Sequence, residues 1–262
     1  STVLMAVYWL SIFVLIILAY YGAYLYNLKY DRLAGSRIWV MGISVLMMLA
    51  VGFFFTNSLL IMTDPKVWPA YFDRPGGTLI HFGEPNLIPR YLHFVVSSVA
   101  IGGLALGLLG WWRTRKGDSE AGETMTRGLR VYAGATLVQF VVGALYLGTL
   151  PNQVLSRVAF GDTAAMAVFV ISIATALCSI LYSMSDKPWH TSVFAVATIF
   201  LMVLFRYAVQ NAYLEAYLSA ARPEVVLQLG PMGLFIAAMI GGAAVLVYLL
   251  KLALRPGKES SL

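Results

Sequence analysis

The sequence predicts an all-α protein, a polytopic membrane helical bundle of about seven transmembrane helices that forms a single integral membrane domain over residues 1–262. Three observations predict it. Hydrophobic residues make up 60% of the chain and charged residues 11%, a composition that excludes an ordinary soluble domain. Seven apolar stretches approach the roughly 20 residues needed to cross a bilayer. They fall at approximately 3–26, 38–62, 88–112, 129–150, 164–184, 191–214 and 229–252, leaving no room for a separate soluble domain. Finally, the net charge of +6 is distributed by topology. The connections after the first, third and fifth stretches and the tail after the seventh hold 12 of the 18 Lys and Arg residues, among them Lys29, Arg113, Lys187 and Lys251. The positive-inside rule makes that side cytoplasmic, with the amino terminus outside and the carboxyl terminus inside. The basic balance therefore indicates membrane orientation, not nucleic-acid binding.

The first stretch carries Tyr8, Tyr20, Tyr21, Tyr24 and Tyr26 and no carboxylate; the tyrosines at 20–26 suit the cytoplasmic interface. The second is apolar until Asn57 and Ser58, which either hydrogen-bond a neighbouring helix or line a cofactor edge. Between Thr63 and Leu87 runs the longest outer connection, rich in Pro and Gly, with Asp64, Asp73, His81 and Glu84. A loop of this kind caps a site or docks a partner. His81 within it reads as a surface histidine.

The third stretch, Asn86 to Trp112, places His93 a turn or two inside the membrane. An ionisable side chain at that depth is costly and points to function. Helical spacing from His93 gives Ser97, Ala100, Gly103, Gly107 and Gly110, all small. Such a stripe either lets another helix approach closely or leaves a slot for a flat macrocycle. A histidine at its head favours the slot.

The fourth stretch carries Gln139, and the fifth has no feature beyond Cys178 and Met184, both read as packing. With one cysteine there is no disulfide, covalent c-type haem or iron–sulfur cluster. His190 opens the sixth stretch on the cytoplasmic side, and a hydrocarbon core of about 30 Å separates it from His93. A shared bis-histidine metal is thereby excluded. Arg206, Gln210, Asn211 and Glu215 are assigned to one broad face of the outer half of the sixth stretch, either as an Arg–Glu structural pair or as a ligand-handling set. In the seventh, Met232 stands at the mouth and Met239 deeper. At about 1.5 Å per residue, His93 lies about 10 Å in, Met239 about 12 Å and Met202 about 18 Å, so His93 and Met239 can be level. The chain begins at Ser1 and shows no cleavable signal peptide.

Four segments carry a family resemblance. YLYNLKYDRLAGSRIW places Tyr30-Asp31-Arg32-Leu33 where the family has Trp-Asp-Arg-Leu. TNSLLIMTDP matches a helix end with Asn57 and Met62-Thr63-Asp64-Pro65. NLIPRYLHFVVSSVAIGGLALGLLGWW matches a helix with Asn-Pro, Phe-x-His, Gly-Gly and a closing Trp. LFIAAMIGGAAVLVYLLKLALRPGK matches a helix bearing an axial methionine. The sequence thus resembles subunit I of the cytochrome bd quinol oxidases, with its four-helix core, over roughly two thirds of the chain. The family's low-spin haem b histidine falls on His93 and its second axial ligand on Met239. There are departures. The family's amino-terminal helix pair, with the histidine for the high-spin haem, has no counterpart before Ser1. The expected membrane glutamates are replaced in the first stretch, the arginine before the axial methionine is Ala237, and the quinol loop shrinks to PNQVLSRVAFGD.

The resemblance implies a reduced relative that keeps haem b and lacks the oxygen-site haems. It would be the electron-transfer subunit of a quinol oxidoreductase complex in a bacterial inner membrane, not itself an oxygen reductase. The iron ligands would be His93 and Met239, with Met202 as the alternative to Met239, and Ser97, Gly103 and Gly107 would line the haem. Arg206 and Glu215 would handle the head group and proton of a quinol or menaquinol. The partner would be a periplasmic c-type cytochrome or another redox subunit. Two rivals stand beside this reading: a haem-free anchor or assembly subunit of a respiratory complex, and a transporter. The apolar run below Arg206, interrupted only by Thr198, argues against the transporter.

Overall fold

Residues 1–73, 75–217 and 228–253 are described by a computed structural model. Among them there are helices and turns and no strand. Seven helices are long and apolar enough to cross a membrane. They are α1 (Ala6–Leu28), α2 (Arg37–Thr63), α3 (Leu87–Arg115), α4 (Ala121–Gly148), α5 (Thr163–Met184), α6 (Pro188–Leu214) and α7 (Leu229–Ala253). The multi-pass all-α prediction holds. The chain divides into two compact units, Ser1–Ser219, holding α1–α6, and Ala220–Leu262, holding α7.

Local chemistry sets the helix ends. Pro188 opens α6 in its first turn, where its missing N–H costs no hydrogen bond. Asp162 caps α5 by accepting the Ala165 N–H at 3.0 Å. Beyond α3, Gly117 takes a φ of +95°, a backbone conformation that favours glycine. α4 starts eight residues before its apolar stretch, because Glu123 and Arg127, one turn apart, carry the helix through the polar segment.

In the first unit, consecutive helices form three hairpins: α1 with α2, α3 with α4, and α5 with α6. α4 also packs on α5 and α6 on α3, so α3 to α6 close a four-helix ring. α2 attaches the first hairpin to α3. The long connection after α2 defines one face of this unit, called here the loop face. The amino-terminal segment lies there too: Val7 donates its N–H to the Gly77 carbonyl at 3.1 Å, and Leu79 to that of Leu4 at 3.0 Å. Leu4, Met5 and Ile61 are buried together beneath these bonds.

The closest helix contact lies between α3 and α4. A Cβ on Gly103 would meet the Tyr132 nitrogen at 2.7 Å and the Gly128 carbonyl oxygen at 2.9 Å. On Gly107 it would meet Leu129 at 3.0 Å, and on Gly110 the Met125 backbone. Without side chains at these positions the backbones approach and dispersion contacts replace lipid. The α5 face, unremarked in the sequence, is a second small-residue stripe: Ser172, Ala176, Ser179 and Ser183 are all buried. Tyr132 of α4 donates to Ser179 Oγ at 2.7 Å, and Ser183 Oγ to the Leu129 carbonyl at 2.6 Å. Met184, expected to pack, is exposed.

This packing predicts an asymmetry between glycines of one helix. Gly128→Val would drive a side chain into the α3 backbone and should lower stability by about 1–3 kcal/mol. Gly134→Ala, with open space around its Cβ position, should change it by less than about 0.5 kcal/mol. Thermal unfolding in detergent measures both, and equal effects would contradict the contact.

Candidate functional site

A group of polar side chains meets at the loop face, around the start of α3. Asn86, wholly buried, precedes the helix and donates through Nδ2 to the Tyr213 hydroxyl of α6 at 3.2 Å. One turn on, Arg90 donates through Nη2 to the Tyr146 hydroxyl of α4 at 3.1 Å. A turn deeper lies His93. Its carbonyl accepts the Gln139 Nε2 amide of α4 at 2.7 Å, and the same amide contacts Ser97 Oγ. Gln139 thus bridges two successive turns of α3 from the facing helix.

His93 itself stands apart. Its imidazole makes no hydrogen bond to a described residue, and Nδ1 is buried without a partner. Among the described residues two other buried side-chain atoms share that condition, Asn86 Oδ1 and Gln139 Oε1, and both belong to the same end of the α3–α4 pair. An unpaired buried polar atom costs free energy, on the order of 1–3 kcal/mol. Three such atoms within two turns mark this place as one where polar capacity goes unused by the fold.

The stripe below His93 requires a correction. Gly103, Gly107 and Gly110 face the α4 backbone, as described above, so the slot expected along them for a macrocycle is filled by protein. A small stripe carries the same signature whether a helix or a cofactor covers it, and here the helix does. Ser97 is likewise held by Gln139.

The α6 grouping also changes. Arg206 and Glu215 are nine residues apart, two and a half turns at 3.6 residues per turn, and so leave opposite sides of the helix. Arg206 is exposed. Glu215 pairs instead with Arg157, from the connection between α4 and α5, at 3.0 Å to Nε and 3.2 Å to Nη2. Both side chains of this pair are at least half exposed, so it contributes about 1 kcal/mol or less. Met202 lies between α5 and α6, 4.0 Å from Ser172 Oγ. Met239 belongs to α7 in the second unit. His190, at the opposite end of α6 from the loop face, stacks on Tyr182 with ring centroids 5.1 Å apart.

The connection after α2 holds what the sequence left unassembled. Asn57 bonds the loop, not an adjacent helix. Fully buried, it clamps the loop, accepting the His81 N–H at 3.0 Å and donating to the His81 carbonyl at 3.2 Å. Ser58, by contrast, does bond a neighbouring helix, accepting from Trp9 Nε1 at 3.2 Å. The clamp brings His81 Nε2 to 3.6 Å from Asp64 Oδ2 and 3.9 Å from Glu84 Oε2. Only the three-residue spacing of His81 and Glu84 hints at this in the sequence; Asp64 lies 17 positions before His81 and gives no local signal.

No protein-family model, curated protein or solved structure matches the chain.

Asn57→Ala should remove both hydrogen bonds and leave the His81 backbone groups unpaired, a loss of about 1–3 kcal/mol. The effect should be local: limited proteolysis should cut faster between residues 64 and 86, while the connection between α3 and α4 keeps its wild-type rate. Equal acceleration at both connections would show that Asn57 supports the whole bundle.

Proposed function

We propose that this chain is a membrane b-type cytochrome subunit that moves electrons between a membrane quinol or quinone and a periplasmic redox partner, such as a c-type cytochrome. The observation that carries the reading is His93, an imidazole within a helix long and apolar enough to cross a membrane, whose side chain has no hydrogen bond among the described residues. Such a group has a free nitrogen lone pair and a reason to be kept. A haem at His93 would find an unpaired nitrogen donor, whereas one along the glycine stripe would meet the α4 backbone. His93 is the proposed axial ligand of the first unit, and the candidates for a second ligand are those the sequence offers, Met239 or, as the alternative, Met202. A haem b with both axial positions filled supplies one-electron transfer.

What this chain's own residues contribute is position. Gln139 holds the α3 backbone at His93 and Ser97, and Arg90 with Tyr146 ties α3 to α4 one turn nearer the loop face. The guanidinium of Arg90 supplies positive charge beside the proposed site. Arg206 and Glu215 enter the proposal separately, as a membrane cation and as a carboxylate already paired with Arg157, for quinol binding and proton acceptance. The Lys and Arg bias supports an orientation with the loop face outside and the carboxyl terminus cytoplasmic, and the proposed location is a bacterial inner membrane.

The filled glycine stripe favours a second reading, a haem-free membrane anchor of a respiratory complex. Absorbance of the purified chain separates the two. The cytochrome reading expects a reduced-minus-oxidised α band of haem b that His93→Ala abolishes, and a wild-type chain without haem would sink it. Met239→Leu should retain the haem and alter its low-spin spectrum, whereas Met202→Leu should leave the spectrum as it is. The reverse pattern would move the second ligand to Met202.

A further inference from the structure

We propose that Asp64, His81 and Glu84 form a binding site for a first-row divalent transition-metal ion such as Zn2+ at the loop face. The site is independent of the haem reading and uses none of its residues. Each residue offers one ligand atom, and the three atoms all lie within 4.8 Å of one another.

The spacing itself argues for a shared ligand. At 3.6 and 3.9 Å, His81 Nε2 is too far from either carboxylate oxygen for a hydrogen bond. An imidazole paired directly with these acids would close to about 2.8 Å. Nitrogen and oxygen ligands of one tetrahedral Zn2+, each about 2.0–2.1 Å from the metal, lie roughly 3.3 Å apart. The donors therefore stand wide of a coordination sphere, by a few tenths of an ångström for the two His81 pairs and by no more than about 1.5 Å for the carboxylate pair, gaps that side-chain rotation can close.

The scaffold holds them there from three directions. Asp64 follows the last residue of α2 and commits its other oxygen, Oδ1, to the Lys66 N–H at 3.2 Å, which leaves Oδ2 for the cluster. His81 is fixed through both backbone groups by the fully buried Asn57 amide, so the ring starts from a rigid base. Glu84 precedes α3, and its carbonyl accepts the Leu87 N–H at 3.0 Å. The side chains remain 24–28% exposed, so an ion can enter from water and keep a water as a further ligand.

Donor chemistry narrows the ion. Two carboxylates with one neutral imidazole neutralise a divalent charge. The imidazole favours Zn2+ and its first-row neighbours over Mg2+ or Ca2+, and the absence of a thiolate from these three residues disfavours Cu(I). A bound ion would join the end of α2, the connection and the approach to α3, closing the loop across the end of the bundle that holds Asn86 and Arg90.

The test is Zn2+ titration of the purified chain in detergent, with competition by a chromophoric chelator, followed by Co2+ as a spectroscopic probe. About one Zn2+ should bind per chain, and Co2+ should give the d–d absorption of a four- or five-coordinate nitrogen–oxygen site. Asp64→Asn and Glu84→Gln, which keep side-chain shape, should each weaken binding by about tenfold or more. His81→Ala should abolish it, and His93→Ala and His190→Ala should leave it unchanged. Zn2+ should raise the thermal midpoint of the wild type and not that of Glu84→Gln, a comparison that also shows the variant is folded. Wild-type affinity weaker than about 1 mM, or Zn2+ binding that survives both His81→Ala and Glu84→Gln, would overturn the site.

Discussion

The close contact of α3 with α4 is the constraint on which the rest of the first unit depends. Gly103, Gly107 and Gly110 meet the α4 backbone without an intervening side chain, and Gly128 returns the contact from the other helix. Lipid tails are as apolar as leucine, so nothing like the hydrophobic effect in water draws these helices together; near-contact of backbone does. Once the glycines fix the spacing and rotation of the pair, Gln139 falls opposite His93 and Ser97, and Tyr146 opposite Arg90. From the same stretch of α4, the Tyr132 hydroxyl and the Leu129 carbonyl meet the serines of α5. The ring is thus built outward from one tight seam.

That seam also explains the character of the loop face. Deep in the bundle small residues and short hydroxyls satisfy one another locally, as Ser172 does with the Phe169 carbonyl. At the loop face the side chains lengthen to Asn, Arg, Gln, His and Tyr, and three buried atoms have no partner among the described residues. Polar groups that a membrane protein retains without using them for its own fold are the strongest structural pointer to an exogenous ligand. This is the feature shared by the proposed haem ligand His93 and its neighbours Asn86 and Gln139.

Much of the architecture was legible in the sequence, for a physical reason: a bilayer demands about 20 apolar residues in a row, and that demand is written in one dimension. All seven helices fall where the apolar stretches predict, with ends shifted where a cap or an ion pair extends them, as at Pro188 and at Glu123–Arg127. His93 stands out in the sequence as an imidazole in an apolar run, and in the structure its Nδ1 is buried without a partner among the described residues. Contacts between distant segments were not legible in the sequence. The glycine stripe reads the same with a helix or a macrocycle against it. Glu215 finds Arg157 only through the fold of the connection between α4 and α5. Asp64 meets His81 because Asn57, buried at the end of α2, reaches across to the loop. The serines of α5 were overlooked because single hydroxyls scattered through an apolar segment look inert until their common face is seen.

If His93 is kept free for the iron of a haem, a count of haem per polypeptide should show it. The measurement is the pyridine haemochrome assay on chain purified from cells with ample haem, normalised to protein by amino-acid analysis. The account predicts about one haem b per chain, with no covalently attached haem. A preparation that is folded, monodisperse and without haem would contradict it.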